Sequence, residues 1–435
     1  MSSELEFAQD LIDFIYDSPT AFHAVAKAKE DLSKEGFVEI KEGDKWNLEK
    51  FGKYFVTKND SAITAFVIGS GEIEENGFKI IGAHTDSPSF RIKPAPEMVV
   101  DNTYVRLNTE VYGAPILNTW MDRPLAIAGR VTLRSDDILS PKTRLVNINK
   151  PLMIIPNVAI HMNRDVNTGI ELNKQKDTLP LLSLVSGELE KNNYLMSAIA
   201  NELSVELKEI IDFDLYLYEY EKGSIIGLNN EFISTSRLDD LAMVHAGIRA
   251  LTRTSNSVVK ATNVMVCFDN EEVGSSTKQG ADSNLLINIL ERITISLNKS
   301  REDFLRAISK SFIISADNAH AVHPNSPEKH DLTNKSYINK GPVIKISASQ
   351  SYTTDSNSDA VYELVCESAG IPVQKFVNRS DVRGGSTIGP ISSTHLDIRS
   401  MDMGSPTLAM HSIRELGGVT DHTYVTKSFI EFYKI

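Results

Sequence analysis

The run Val264-Met265-Val266-Cys267-Phe268 passes without a break into Asp269-Asn270-Glu271-Glu272-Val273-Gly274-Ser275, and this junction constrains the fold more than any other stretch. Five consecutive apolar residues bounded by turn formers predict a strand buried on both faces, of the kind found in α/β sheets. Two adjacent carboxylates at the mouth of such a strand are costly to bury unless a cation or a proton relay holds them. Side chains of adjacent residues also diverge. One carboxylate can therefore ligate a metal while the other faces a bound water, a division of labour suited to hydrolysis. Taken alone, Glu271-Glu272 reads more readily as a solvated acidic turn than as a site.

The same pattern recurs along the chain. Phe78-Lys79-Ile80-Ile81-Gly82 runs into Ala83-His84-Thr85-Asp86, and a histidine two residues before an aspartate suits a ligand whose imidazole a carboxylate orients. Ser311 to Ser315 runs into Ala316-Asp317, and Thr407-Leu408-Ala409-Met410, read as a strand, runs into His411. Asp239 and Asp240 open a helix that continues through Leu241, Val244, Ile248 and Leu251, where capping accounts for one aspartate but not both. In open α/β sheets ligands bind beyond the carboxyl ends of the strands, so His84, Asp239, Glu271-Glu272, Asp317 and His411 can converge. Two histidines with several carboxylates suit zinc, cobalt or manganese.

Between residues 94 and 227 the texture changes to short alternating strands, such as Leu125 to Leu133 and Phe213 to Tyr218, and predicts an inserted β-rich domain. The expected division is a discontinuous catalytic domain, 1–93 and 228–435, around an insert at 94–227. His161 follows Val158-Ala159-Ile160 there and reads as structural on the residues alone. His23, His245, His320, His323 and His330 read likewise as packed or merely exposed. The glycine-rich Gly384-Gly385-Ser386-Thr387-Ile388-Gly389-Pro390 has no Gly-Lys-Ser/Thr, which favours a tight backbone approach beside a substrate over a phosphate cradle.

Composition closes off several classes. With 45 basic against 58 acidic residues the net charge is −13, which argues against nucleic acid and anionic membranes as partners. Only Cys267 and Cys366 are present, so a disulfide framework and a cysteine zinc site are both excluded. The N-terminus lacks a basic start with an apolar core, and the expected location is the cytoplasm.

The motifs His84-Thr-Asp86-Ser-Pro, Arg237-Leu-Asp239, Asn270-Glu271-Glu272-Val-Gly-Ser, Ser315-Ala-Asp317-Asn-Ala-His320-Ala, Gly385-Ser-Thr-Ile-Gly-Pro390 and His411-Ser-Ile-Arg-Glu415 together resemble the M18 aminopeptidases, in family order and nearly end to end. That resemblance implies a mixed-sheet α/β zinc-peptidase domain with an inserted β-rich dimerisation domain. It also implies two divalent ions per subunit, most often zinc. His84 and Asp317 would hold one ion, Glu272 and His411 the other, and Asp239 would bridge them. Asp86 would orient the site, and Glu271 would be the general base.

The resemblance further implies a tetrahedral dodecamer built from dimers, with His161 reaching a neighbouring subunit's active site. Lys345, Tyr352 and Gly385 would line the pocket for the N-terminal side chain, with Arg383 beside them. A cationic Lys345 favours peptides with N-terminal Asp or Glu. Arg383 departs from the small or apolar residue usual there, and a broad or leucine-preferring member is the alternative. A related deacylase and a non-catalytic scaffold of the same fold are the readings further away.

Overall fold

A computed structural model describes residues 3–185, 193–382 and 384–435. The chain divides into two compact units. The first comprises Met1–Asp86, Gly223–Met410 and Glu415–Ile435, and the second Ser87–Lys222 with His411–Arg414. The second unit thus begins at Ser87 and ends at Lys222, where the sequence suggested 94 and 227. The strand Ser89–Val100 explains the earlier start, because it pairs wholly within the second unit's sheet.

The first unit is built on a nine-stranded mixed sheet. Its order is Val38–Glu39, Lys53–Lys58, Ala62–Val67, Thr262–Phe268, Phe78–His84, Phe312–Ala316, Arg399–Gly404, Val343–Ile346 and Gln374–Val377. The four strands from Thr262–Phe268 to Arg399–Gly404 run parallel, so their carboxyl ends share one edge. Side chains alternate between faces as the pleat requires. Phe78 and Ile80 join Val264, Val266 and Phe268 under the helices Leu285–Ser296, Arg301–Lys310 and Ile388–Leu396. Ile81 and Ala83 join Met265 and Cys267 on the opposite face, under Ser3–Tyr16, Ala21–Lys34, Leu238–Thr254, Ser356–Ser368 and Val419–Lys434. Both cysteines are free and buried.

A five-stranded sheet completes this unit, and it holds Pro406–Leu408, the strand that precedes His411. The four strands that lead to the expected ligands therefore do not share one sheet. Ser405 alone separates Arg399–Gly404 from Pro406–Leu408, and Ala409 and His411 both adopt left-handed backbone, which ends the second strand early.

The second unit is a six-stranded antiparallel sheet, ordered Lys142–Met153, Leu125–Leu133, Ile210–Glu219, Ser89–Val100, Tyr104–Tyr112 and Leu181–Leu184. The helix Tyr194–Leu203 packs Leu195 and Ile199 on its apolar face beside Leu107, Ile127 and Leu217. Glu219 is buried at a strand end and meets two guanidiniums, Arg123 Nη1 at 2.7 Å and Arg414 Nη2 at 2.9 Å. These contacts tie the His411–Arg414 segment into this unit, with Ile116 N donating to His411 O at 2.9 Å and Ile413 N to Thr119 Oγ1 at 3.0 Å. Glu219→Ala takes the shared carboxylate from two part-exposed guanidiniums and is expected to cost about 1–3 kcal/mol, read as a lower denaturant midpoint. A midpoint unchanged within error removes Glu219 as the anchor.

Among the described residues no helix is long and apolar enough to cross a membrane.

Candidate metal centre

His84 is the last residue of a central strand and is the Cα partner of Phe268, so the two parallel strands deliver His84 and Asp269-Asn270-Glu271-Glu272 to the same edge. Asp317 leaves the neighbouring strand one residue after Ala316. Leu238–Thr254 brings Asp239 and Asp240, which depart from helical backbone and are joined by a cis peptide bond. His84, Asp239, Asp240 and Asp317 each place one ligand-type atom within 4.8 Å of the others, and all four are buried; His84, Glu271 and Glu272 form a second such group.

Hydrogen bonds fix this arrangement. His84 Nδ1 lies 3.3 Å from Asp86 Oδ1 and its Nε2 lies 3.4 Å from Asp239 Oδ1. The Asp86 carboxylate also accepts from Glu271 N and Glu272 N, both at 3.1 Å, so one buried side chain orients the imidazole and the turn that carries both glutamates. Glu415 accepts from Asp239 N at 2.9 Å. Asp240 Oδ2 accepts from His84 N at 3.1 Å, whereas its Oδ1 is buried with no hydrogen-bond partner among the described residues.

So many buried carboxylates side by side disturb one another. Burial pushes Asp240 well above the usual carboxylate range, with His84 opposing and Asp317 and Asp239 adding repulsion. Asp317 rises for the same first reason, against the pull of Lys345. Glu271 is pushed up to about 7, chiefly by burial, with His84 opposing and Asp317, Asp86 and Asp239 adding repulsion. Burial alone would lower His84, but Asp240, Asp239 and Asp86 raise it well above its ordinary value. The donor set, hard oxygens with one imidazole, and the unpartnered Asp240 oxygen both fit a divalent cation. Asp240 was legible only as a surplus aspartate at a helix start.

His411 lies in the second unit's short segment, with its Nδ1 3.1 Å from Ala114 O. His161 stands exposed in a turn of the second unit. Lys345 is buried on Val343–Ile346, its ammonium 3.2 Å from Asp317 Oδ2 and 5.4 Å from the Tyr352 ring centre. Gly385 lines a cavity of about 300 Å³ with His320, Phe376, Gly384 and Met410. Arg383 lies outside the described residues.

The profile of the family Aminopeptidase I zinc metalloprotease (M18) matches residues 14–433. The chain belongs to the M18 aminopeptidase family. As a member it is a metallo-aminopeptidase, a hydrolase. It is 69% identical to "Probable M18 family aminopeptidase 2" of Clostridium novyi (strain NT), over 100% of both chains. Among solved structures, a chain of the Ape4 and Nbr1 complex superposes with a TM-score of 0.94 at 38% identity, covering 98% of this chain and 85% of that one. The S. cerevesiae mApe1 dodecamer superposes with a TM-score of 0.86 at 28% identity, covering 99% of this chain and 96% of that one.

Proposed function

We propose that this M18 aminopeptidase removes acidic N-terminal residues, Asp or Glu, from peptides, using two divalent ions and Glu271 as general base. The observation that carries the reading is the buried cluster of His84, Asp239, Asp240 and Asp317 with Glu271 at its margin. His84 and Asp317 would hold one ion and Glu272 and His411 the other, with Asp239 shared by both. Zinc is the first choice, with cobalt and manganese as alternatives. Bound there, the ions supply Lewis acidity for the scissile carbonyl and lower the pKa of an attacking water from 15.7 to about 7.

Glu271 takes the proton from that water and returns it to the leaving amine. Burial holds this carboxyl above the usual carboxylate range in the metal-free protein, which favours its taking up a proton and giving it back near neutral pH. Asp86 keeps the Glu271 backbone and the His84 ring in place throughout. Lys345, with Tyr352 packed below it, offers the substrate's side-chain carboxylate a charge-assisted partner. One contact favours a second reading, a leucine-type preference: Lys345 already pairs with Asp317, which leaves the pocket neutral if that pair persists. Initial rates on N-terminal Asp, Glu, Leu and Lys substrates decide, and a leucine rate above the acidic ones sinks the acidic preference.

The first unit supplies all of the proposed ligands but His411, and the second serves assembly into a homo-oligomer. A tetrahedral dodecamer working on peptides in the cytoplasm is the form we favour, with neither nucleic acid nor membrane as partner. The net charge of −13 supports the last point. In such an assembly the exposed His161 donates to the developing oxyanion in a neighbouring subunit. His161→Ala is then expected to fold, bind metal and assemble while turning over about a hundredfold more slowly. Subunit exchange with a Glu271→Gln protein should restore part of the activity. Exchange proven by mass with no recovery refutes a role between subunits.

A further inference from the structure

Asp402 has no part in the cluster above, yet it is one of the most thoroughly held carboxylates in the protein. It sits fully buried on the central strand Arg399–Gly404. Its Oδ2 accepts from Thr353 N at 2.6 Å and Thr353 Oγ1 at 2.8 Å, and its Oδ1 accepts from Thr387 Oγ1 at 2.5 Å. The backbone adds a further bond, from Asp402 N to Thr354 Oγ1 at 2.9 Å.

The glycine motif is shaped around this side chain. A Cβ on Gly389 would lie 2.5 Å from both carboxylate oxygens, so only glycine lets the first turn of Ile388–Leu396 close over them. The amino end of that helix favours a negative charge beside it. Asp402 is also the antiparallel partner of Lys345, and directly opposed residues project from the same face of a sheet. Lys345 thus stands between Asp317, to which it is paired, and Asp402 across the strand.

From these contacts we infer that Asp402 is the positioning residue of the side-chain pocket: through Thr353 it fixes Tyr352 against Lys345, and through Thr387 it fixes the glycine motif that carries Gly385. The inference rests on the pocket assigned under the proposed function. It deepens that reading by naming what makes the pocket selective. The carboxylate touches neither the ligand cluster nor, by this account, the substrate. Its effect passes through two threonines, each next to a pocket wall.

Asp402→Asn keeps size and shape but turns an amide donor toward one of the donors it now receives. The variant is expected to retain its metal content and to lose the wild-type preference, with the ratio of kcat/KM for the acidic over the leucine substrate shifting about tenfold toward one. Most of the change should fall on KM of the preferred substrate. In a Lys345→Met background the same substitution should shift the ratio no further. Thr353→Val removes one donor and leaves Asp402 in place, so it serves if Asp402→Asn does not fold, and an intermediate shift is expected.

A residue that merely supports the fold would lower both substrates equally, and that result overturns the inference. So does a full further shift in the Lys345→Met background. The wild-type panel judges the acidic reading separately. A leucine preference in wild type refutes that reading while the collapse of the ratio still tests Asp402, and a wild-type ratio near one removes both.

Discussion

Glu271→Gln is expected to keep its fold and its metal while losing on the order of 10³ in kcat, because an amide matches the carboxylate in shape but cannot accept a proton from water. The loss should be larger than for any other single substitution that leaves the ligands intact. Glu271 is well placed to show this cleanly. Its backbone N–H is held by Asp86 and its side chain makes no ion pair among the described residues, so the substitution breaks no structural contact of that kind. In the metal-free protein the carboxyl is pushed up to about 7 by burial. Bound cations lower it, so the acid limb of the wild-type kcat/KM profile should lie below about 7, and the residual activity of the variant should lack that limb. Rates within a few fold of wild type, at equal metal content by elemental analysis, would take the base role away from Glu271.

Removal of metal is expected to abolish turnover and to lower stability, with a dependence on pH whose sign follows from the same carboxylates. Asp240, Asp317 and Glu271 are all raised, so the metal-free protein holds protons there that an unfolded chain, with carboxylates near 4, would have released. The stability they contribute in the protonated form is complete below about 4 and is lost as pH rises beyond the ordinary carboxylate range, through about 7 for Glu271. A cation requires the ionised forms. Loading therefore releases protons, and apparent affinity climbs with pH toward neutrality.

At free metal a thousandfold above Kd the gain is about 4 kcal/mol. Thermal unfolding with and without chelator should show a larger metal increment at pH 8 than at pH 5.5. Calorimetric titration in buffers of different ionisation enthalpy should show protons leaving. An increment that is larger in acid would mean that other groups hold the ions.

The central strands were legible because Phe78–His84, Thr262–Phe268 and Phe312–Ala316 are largely apolar and end in, or run directly into, ionisable residues: His84, Asp269 and Asp317. Arg399–Gly404 lies between two of the strands that were read, yet its sequence Arg-Ser-Met-Asp-Met-Gly shows neither an apolar run nor clear alternation. Its burial comes from its neighbours in the sheet, and Asp402 went unread with it. The helix Tyr194–Leu203 and the strand Lys142–Met153 escaped for related reasons: the first is short, and the second has an exposed and polar start. At the site, His84, Asp239, Glu271, Glu272 and Asp317 follow recognisable signals. Asp240 is different, because capping explains one of two aspartates at a helix start and leaves the other without a role until the backbone is seen to leave helical geometry there.

The strand Phe78–His84 sits between Thr262–Phe268 and Phe312–Ala316, neither of which is made until the whole of Ser87–Lys222 has been synthesised. At about 5–20 residues per second, His84 waits some tens of seconds for its partner strand. An apolar strand left that long without neighbours is a site for aggregation or for a holding chaperone. The second unit faces a shorter wait, since nearly all of it is continuous and its sheet can form while the first unit is still incomplete. Biogenesis of this enzyme should therefore begin in the middle of its gene, and a nascent chain released after Lys222 should already protect the amides of Leu125–Leu133 and Ile210–Glu219 from exchange while those of Phe78–His84 stay open.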